Sequence, residues 1–113
     1  MEIQHETHNG VDVISMRGRF DAPAAPDAER MLKELLQHGM TRVVLDLSEV
    51  EYISSGGLRV IIMLTKALEK VNGDLKLCGL SPFVSEVFKI TNLSKRYDIC
   101  STRDEALASF SVS

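Results

Sequence analysis

The run Val43-Val44-Leu45-Asp46-Leu47 constrains the fold most strongly. Successive side chains of a strand point to opposite faces. A strand that is apolar at almost every position therefore needs cover on both faces, which is the signature of a central strand in a largely parallel sheet. The flanking segments supply that cover. Ala28, Met31, Leu32, Leu35 and Leu36 recur at helical spacing, with Glu29, Arg30, Lys33 and Glu34 outside the stripe and Gly39 closing the helix. A second helix is expected from Ser54 to about Val71, ended by Asn72-Gly73.

The remaining elements follow with short connections. Residues 2–8 alternate weakly, and Asn9-Gly10 is a strong two-residue hairpin signal leading into a strand over Val11 to Phe20. The first strand is polar, which places it at a sheet edge. Leu75, Leu77 and Cys78 mark another strand. Ser81-Pro82 opens a helix whose apolar face is read as Phe83, Val84, Val87 and Phe88. Tyr97 to Cys100 is a last short strand. Thr102 and Glu105 form a capping box for a terminal helix carrying Ala106, Leu107 and Phe110. The order ββαβαβαβα predicts an α/β fold: a mixed, largely parallel β-sheet with an N-terminal hairpin and about four helices packed on it. Residues 48–53 read as a loop. The length of 113 residues suits one domain over 1–113.

Charge and cysteine usage exclude several classes. A net charge of −3 argues against a nucleic-acid partner, which calls for a basic excess. No apolar stretch reaches the roughly 20 residues of a membrane span, and no signal peptide is readable, so the expected location is cytoplasmic. Cys78 and Cys100 fit no metal spacing and read as small buried hydrophobes. His5, His8 and His38 are scattered and read as surface residues. No metal, cofactor or catalytic residue is nominated.

The informative segment is Ser54-Ser55-Gly56-Gly57-Leu58, where the central strand passes into the second helix. A helix N-terminus carries unpaired amides and about half a positive charge. Gly56 and Gly57 let a backbone or ligand approach closely. Four readings compete for the serines. One is a simple N-cap. A phosphate cradle is weak, because Leu58-Arg59 stands where a P-loop needs Lys and Ser/Thr. A hydrolase elbow fails, because Ile53 occupies a position that needs Gly. The last is a serine that is itself phosphorylated. On the same helix, Leu58, Ile61, Ile62, Thr65 and Leu68 read as the inward stripe. Arg59, Met63, Lys66 and Lys70 then make a second, exposed face suited to a partner.

With these residues in view, the chain resembles STAS domains, specifically the anti-sigma factor antagonists of bacterial partner-switching systems. Asp46-Leu47-Ser48, the run Ile53 to Leu58 and Gly18-Arg19-Phe20-Asp21 carry the resemblance, which extends over essentially the whole chain. It places the phosphorylated serine on Ser55, with Ser54 as the alternative. Ser54 stands where the family often has an acid, which removes one negative charge beside the acceptor. The resemblance implies binding to an anti-sigma factor that is a serine/threonine kinase of histidine-kinase-like ATPase fold, with release of a sigma factor. It also implies resetting by a metal-dependent serine/threonine phosphatase, and no catalysis by the chain itself. The partner-binding residues so expected are Asp21, Ser54, Gly56, Gly57, Arg59, Met63 and Lys66. The rival use of the fold is a non-switching scaffold or adaptor, in a stress-sensing assembly or beside a transporter.

Overall fold

A computed structural model describes residues 1–111; residues 112 and 113, the end of the expected domain, lie outside the described residues. The elements are β1 (Glu2–His8), β2 (Val11–Phe20), α1 (Ala25–Gln37), β3 (Arg42–Ile53), α2 (Ser55–Glu69), β4 (Asp74–Cys78), α3 (Pro82–Ile90), β5 (Asp98–Cys100) and α4 (Arg103–Ser111), with a 3₁₀ turn at Leu93–Lys95. The five strands lie in chain order, β1-β2-β3-β4-β5. β1 pairs antiparallel with β2, and every later pair is parallel. The mixed sheet, the hairpin and the four helices are those expected from the sequence. Asn9 and Gly10 both have positive φ, as a tight hairpin turn requires. The polar strand β1 does sit at the edge.

The alternation in β3 divides the core. Val43, Leu45 and Leu47 join the larger cluster, with Leu32 of α1, Leu64 of α2 and Phe88 of α3. Val44 faces the opposite side, with Val11, Val13, Cys78 and, from α4, Ala106 and Phe110. Three helices thus cover one face and α4 covers the other. Asp46, also mid-strand, is buried; its carboxylate accepts from the Ser48 amide (2.9 Å) and from Arg103 Nε of α4 (3.0 Å). Arg103 also donates to Ser15 Oγ at 2.6 Å, so α4 is held over β2 and β3 by one side chain. Burial alone would raise the Asp46 carboxyl. The Ser48 and Arg103 hydrogen bonds, helped by the Arg103 charge, reverse this and hold it below the ordinary aspartate value.

Four expectations need correction. Residues 48–53 are strand rather than loop: β3 continues to Ile53, pairing Glu49, Val50, Tyr52 and Ile53 with β2 through two register shifts. β4 pairs with β3 only as far as Asp46, so beyond that point one edge of β3 is open and polar residues are tolerated there. The buried stripe of α2 is Gly57, Val60, Ile61, Leu64 and Leu68, so of the expected stripe Leu58, Ile62 and Thr65 are only half-buried. Phe83 is exposed and stacks on Tyr52, with ring centroids 5.3 Å apart, instead of joining Val84 and Phe88 in the core. Cys100 is half-buried, while Cys78 is fully buried as expected.

Local capping follows the sequence. Ser81 Oγ accepts from the Val84 amide and donates to the Val50 carbonyl. Thr102 Oγ1 accepts from the Glu105 amide. The reciprocal bond of the expected capping box falls one residue early, from the Ser101 amide to Glu105 Oε2.

Candidate functional site

The N-terminus of α2 is fixed by the end of β2. The Ser54 amide donates to the Phe20 carbonyl (3.0 Å), and the Leu58 amide donates to the Ser54 carbonyl (3.0 Å) to begin the helix. Ser54 is extended, with φ −108° and ψ 179°, as an N-cap residue should be. Gly57 lies directly on Phe20: a Cβ there would stand 2.5 Å from the Phe20 carbonyl oxygen and 2.9 Å from Phe20 Cγ. Gly56 packs less tightly, with a Cβ 3.1 Å from Ala22 Cα. The two glycines therefore serve close approach of backbone to backbone, and the approaching segment is Phe20-Asp21-Ala22.

This contact brings Asp21 to the start of α2. Its carbonyl accepts from the Ala24 and Ala25 amides and so initiates α1, while its carboxylate lies 3.7 Å from Arg19 Nε. Asp21 thus performs turn chemistry, and its neighbours Phe20 and Ala22 make the contacts with α2.

The two serines differ. Ser54 Oγ is buried and has no hydrogen-bond partner, and it does not cap the helix. Ser55, the first residue of α2, is exposed. The first turn of α2 holds no acidic residue, so the partial positive charge of the helix start meets no counter-charge from the helix itself. Of the two hydroxyls, only that of Ser55 is open to a modifying enzyme.

Along α2, Arg59 and Lys66 are exposed, and Met63 is half-buried against the core. They line an open groove of about 570 Å³ whose opposite wall is Lys33 and Leu36 of α1. The sequence indicated the α2 side of this surface. It did not indicate α1, because Leu36 follows the inward stripe and nothing local shows that the stripe is only partly covered. Near the ends of β2 and β3, the Arg19 guanidinium lies 4.2 Å from the Tyr52 ring centroid, extending the Tyr52–Phe83 stack. This stack was not indicated by the sequence, because residues 48–53 read as loop and Phe83 read as part of the apolar face of α3. Among the described residues no group of three or more His, Cys, Asp or Glu could hold a metal ion.

Residues 2–106 match the STAS domain family. The chain belongs to that family. It is 36% identical over 110 residues to BtrV, a candidate anti-sigma factor antagonist of Bordetella bronchiseptica, covering 97% of this chain and 95% of BtrV. A crystal structure of a candidate anti-sigma factor antagonist from Thermotoga maritima superposes with a TM-score of 0.90 at 25% identity, covering 95% of this STAS chain and 92% of the other. The Bacillus cell fate determinant SpoIIAA in its phosphorylated form shares the fold, with a TM-score of 0.76 at 22% identity over 96% of this chain and 99% of that one.

Proposed function

We propose that this STAS domain is an anti-sigma factor antagonist, a single-domain protein-protein switch without catalysis or cofactor of its own. In this reading the unphosphorylated form binds an anti-sigma factor that is also a serine kinase of histidine-kinase-like ATPase fold, and a sigma factor is released. The kinase phosphorylates Ser55 and the complex dissociates. A metal-dependent serine/threonine phosphatase restores binding. The docking surface comprises Asp21, Ser54, Gly56, Gly57, Arg59, Met63 and Lys66, and the exchange takes place in the cytoplasm.

One observation carries this reading: Ser55 is the exposed first residue of a helix whose start is held rigidly against Phe20 and Ala22. The names of the relatives support it. A phosphate adds about −1.5 to −2 charge at pH 7. Buried in an interface without a partner, a charge costs about 3–5 kcal/mol. A hundredfold loss of affinity needs only about 2.7 kcal/mol. The switch therefore needs no refolding, and the helix N-terminus favours the phosphate in the free protein.

The test is incubation with ATP and the candidate kinase, with phosphate mapped by mass spectrometry and Ser55→Ala as control. Phosphate on Ser55 that abolishes the kinase complex is the expected result. No phosphate at Ser54 or Ser55 with any plausible kinase would leave the scaffold as the better reading.

A further inference from the structure

The groove between α1 and α2 has a chemistry that specifies its occupant. Its floor is apolar, from Leu36, Ile62 and Met63, and its rim is cationic, from Lys33, Arg59, Lys66 and Lys70. No acidic side chain lines it, although the chain carries a net charge of −3. Lys33 is paired with Glu29 of its own helix (3.3 Å). Arg59, Lys66 and Lys70 have no ion-pair partner among the described residues; Arg42, Lys89 and Lys95 also have none but do not line the groove, and the other basic residues, Arg17, Arg19, Arg30, Lys76, Arg96 and Arg103, are paired.

The three unpaired cations of the groove stand seven and four residues apart along α2 and its C-cap, a helical repeat. From Arg59 to Lys70 they span about 16 Å, three turns of helix. We infer that this groove is the docking site for an acidic amphipathic helix of the kinase partner, its apolar face on Leu36, Ile62 and Met63 and its carboxylates on Arg59, Lys66 and Lys70. An amphipathic helix laid in a groove anchors through residues at i, i+3, i+4 and i+7, the same repeat that the cations follow. This rests on the functional reading above, since Arg59 lies one helical turn from Ser55. It adds the chemistry of the partner segment and the α1 wall.

Two other occupants fit less well. A lipid surface needs apolar side chains that project, and here they form the floor of a groove between two helices. A second copy would have to offer an acidic amphipathic helix with a free apolar face. Asp104 and Glu105 of α4 are acidic, but Ala106 and Phe110 of that helix are already buried in their own fold.

The first measurement uses a stapled helical peptide of about four turns, with leucines on one face flanked by glutamates, labelled for fluorescence anisotropy and titrated into isotope-labelled protein. The expected result is saturable binding with amide shifts centred on Leu36, Ile62 and Met63. Affinity should fall roughly tenfold or more in Lys66→Glu, Lys70→Glu and at high salt. No shifts at the groove, equal binding of a peptide with lysines in place of the glutamates, or shifts on another face would overturn the inference. So would concentration-dependent dimerisation through these same residues.

The second measurement separates this inference from the functional reading. If the candidate kinase phosphorylates Ser55 of the natural chain, the Lys70→Glu variant, which lines the groove but lies outside the docking surface proposed for the switch, should show a raised KM with kcat unchanged. An unchanged KM sinks the docking site and leaves the switch standing. If Ser55 is never phosphorylated, the switch falls, and the peptide titration still decides the groove.

Discussion

The Phe20 carbonyl accepts the Ser54 amide at 3.0 Å and lies beneath Gly57, where a Cβ would come within 2.5 Å of the same oxygen. One peptide group at the end of β2 thereby sets both the position and the depth of the α2 N-terminus. Any shift of that peptide moves Ser55.

Gly57→Ala should therefore be costly. The added methyl meets a backbone oxygen and the Phe20 ring, neither of which yields easily, so a loss of about 1–3 kcal/mol is expected. Gly56→Ala meets only Ala22 at 3.1 Å and should cost clearly less. Chemical denaturation of the two variants checks the order. Equal midpoints would show that the start of α2 is not wedged against β2.

Ser54 and Ser81 are both N-cap serines, yet their substitutions should differ. Ser54 Oγ is buried without a partner, so Ser54→Ala should leave stability unchanged or slightly raised. Ser81 Oγ both accepts from Val84 and donates to Val50, so Ser81→Ala should cost about 1–2 kcal/mol. Thermal melts of the pair distinguish the two. A loss at Ser54 as large as that at Ser81 would mean that the Ser54 hydroxyl does cap α2 in solution.

The Asp46–Arg103 pair should show itself in acid. Because the folded carboxyl lies below the ordinary aspartate value of about 3.9, its stabilisation is complete above that value and is lost as pH falls through the folded pKa. At neutral pH, Asp46→Asn should cost about 1–2 kcal/mol, the worth of a charge-assisted hydrogen bond to a partly exposed arginine. The gap between variant and natural chain should close as pH falls below about 4. Urea titrations at a series of pH values measure it; a gap that is constant with pH would contradict the pair.

The thiols give a labelling contrast. Burial, and secondarily the Asp46 charge, push the Cys78 thiol up to about 12, so it stays protonated and unreactive in the folded protein. Cys100 is half-buried and should react first. Mass spectrometry after brief alkylation at pH 8 should find label on Cys100 alone, and on both cysteines in denaturant. Native labelling of Cys78 at a similar rate would show that α4 opens readily.

The fold was legible where a pattern had a single reading. The β3 core run, the Asn9-Gly10 turn and the polar β1 edge each allowed one arrangement, and each is observed. The phase of α2 was not legible. Leu58, Val60, Ile61, Ile62, Met63 and Leu64 are apolar around most of the helix, so periodicity alone admits more than one inward stripe. Gly57 decides between them, because only a residue without a side chain fits against the Phe20 carbonyl, and that contact exists only in three dimensions. The same limit hid the α1 wall of the groove and the Tyr52–Phe83 stack. At the site itself, Ser55 and the two glycines could be read from local sequence, whereas the proximity of Asp21 depends on β2 lying beside β3.

The placement of α4 has a consequence for the chain's exposure to other chains. Every strand precedes it, and among the described residues it is the helix that covers Val13, Val44 and Cys78. Whenever Ala106 and Phe110 are undocked, these side chains lie open to water and to other chains. Local release of α4 would leave a one-sided sheet, and the Arg103–Asp46 contact, which joins residues 57 apart in the chain, opposes that release.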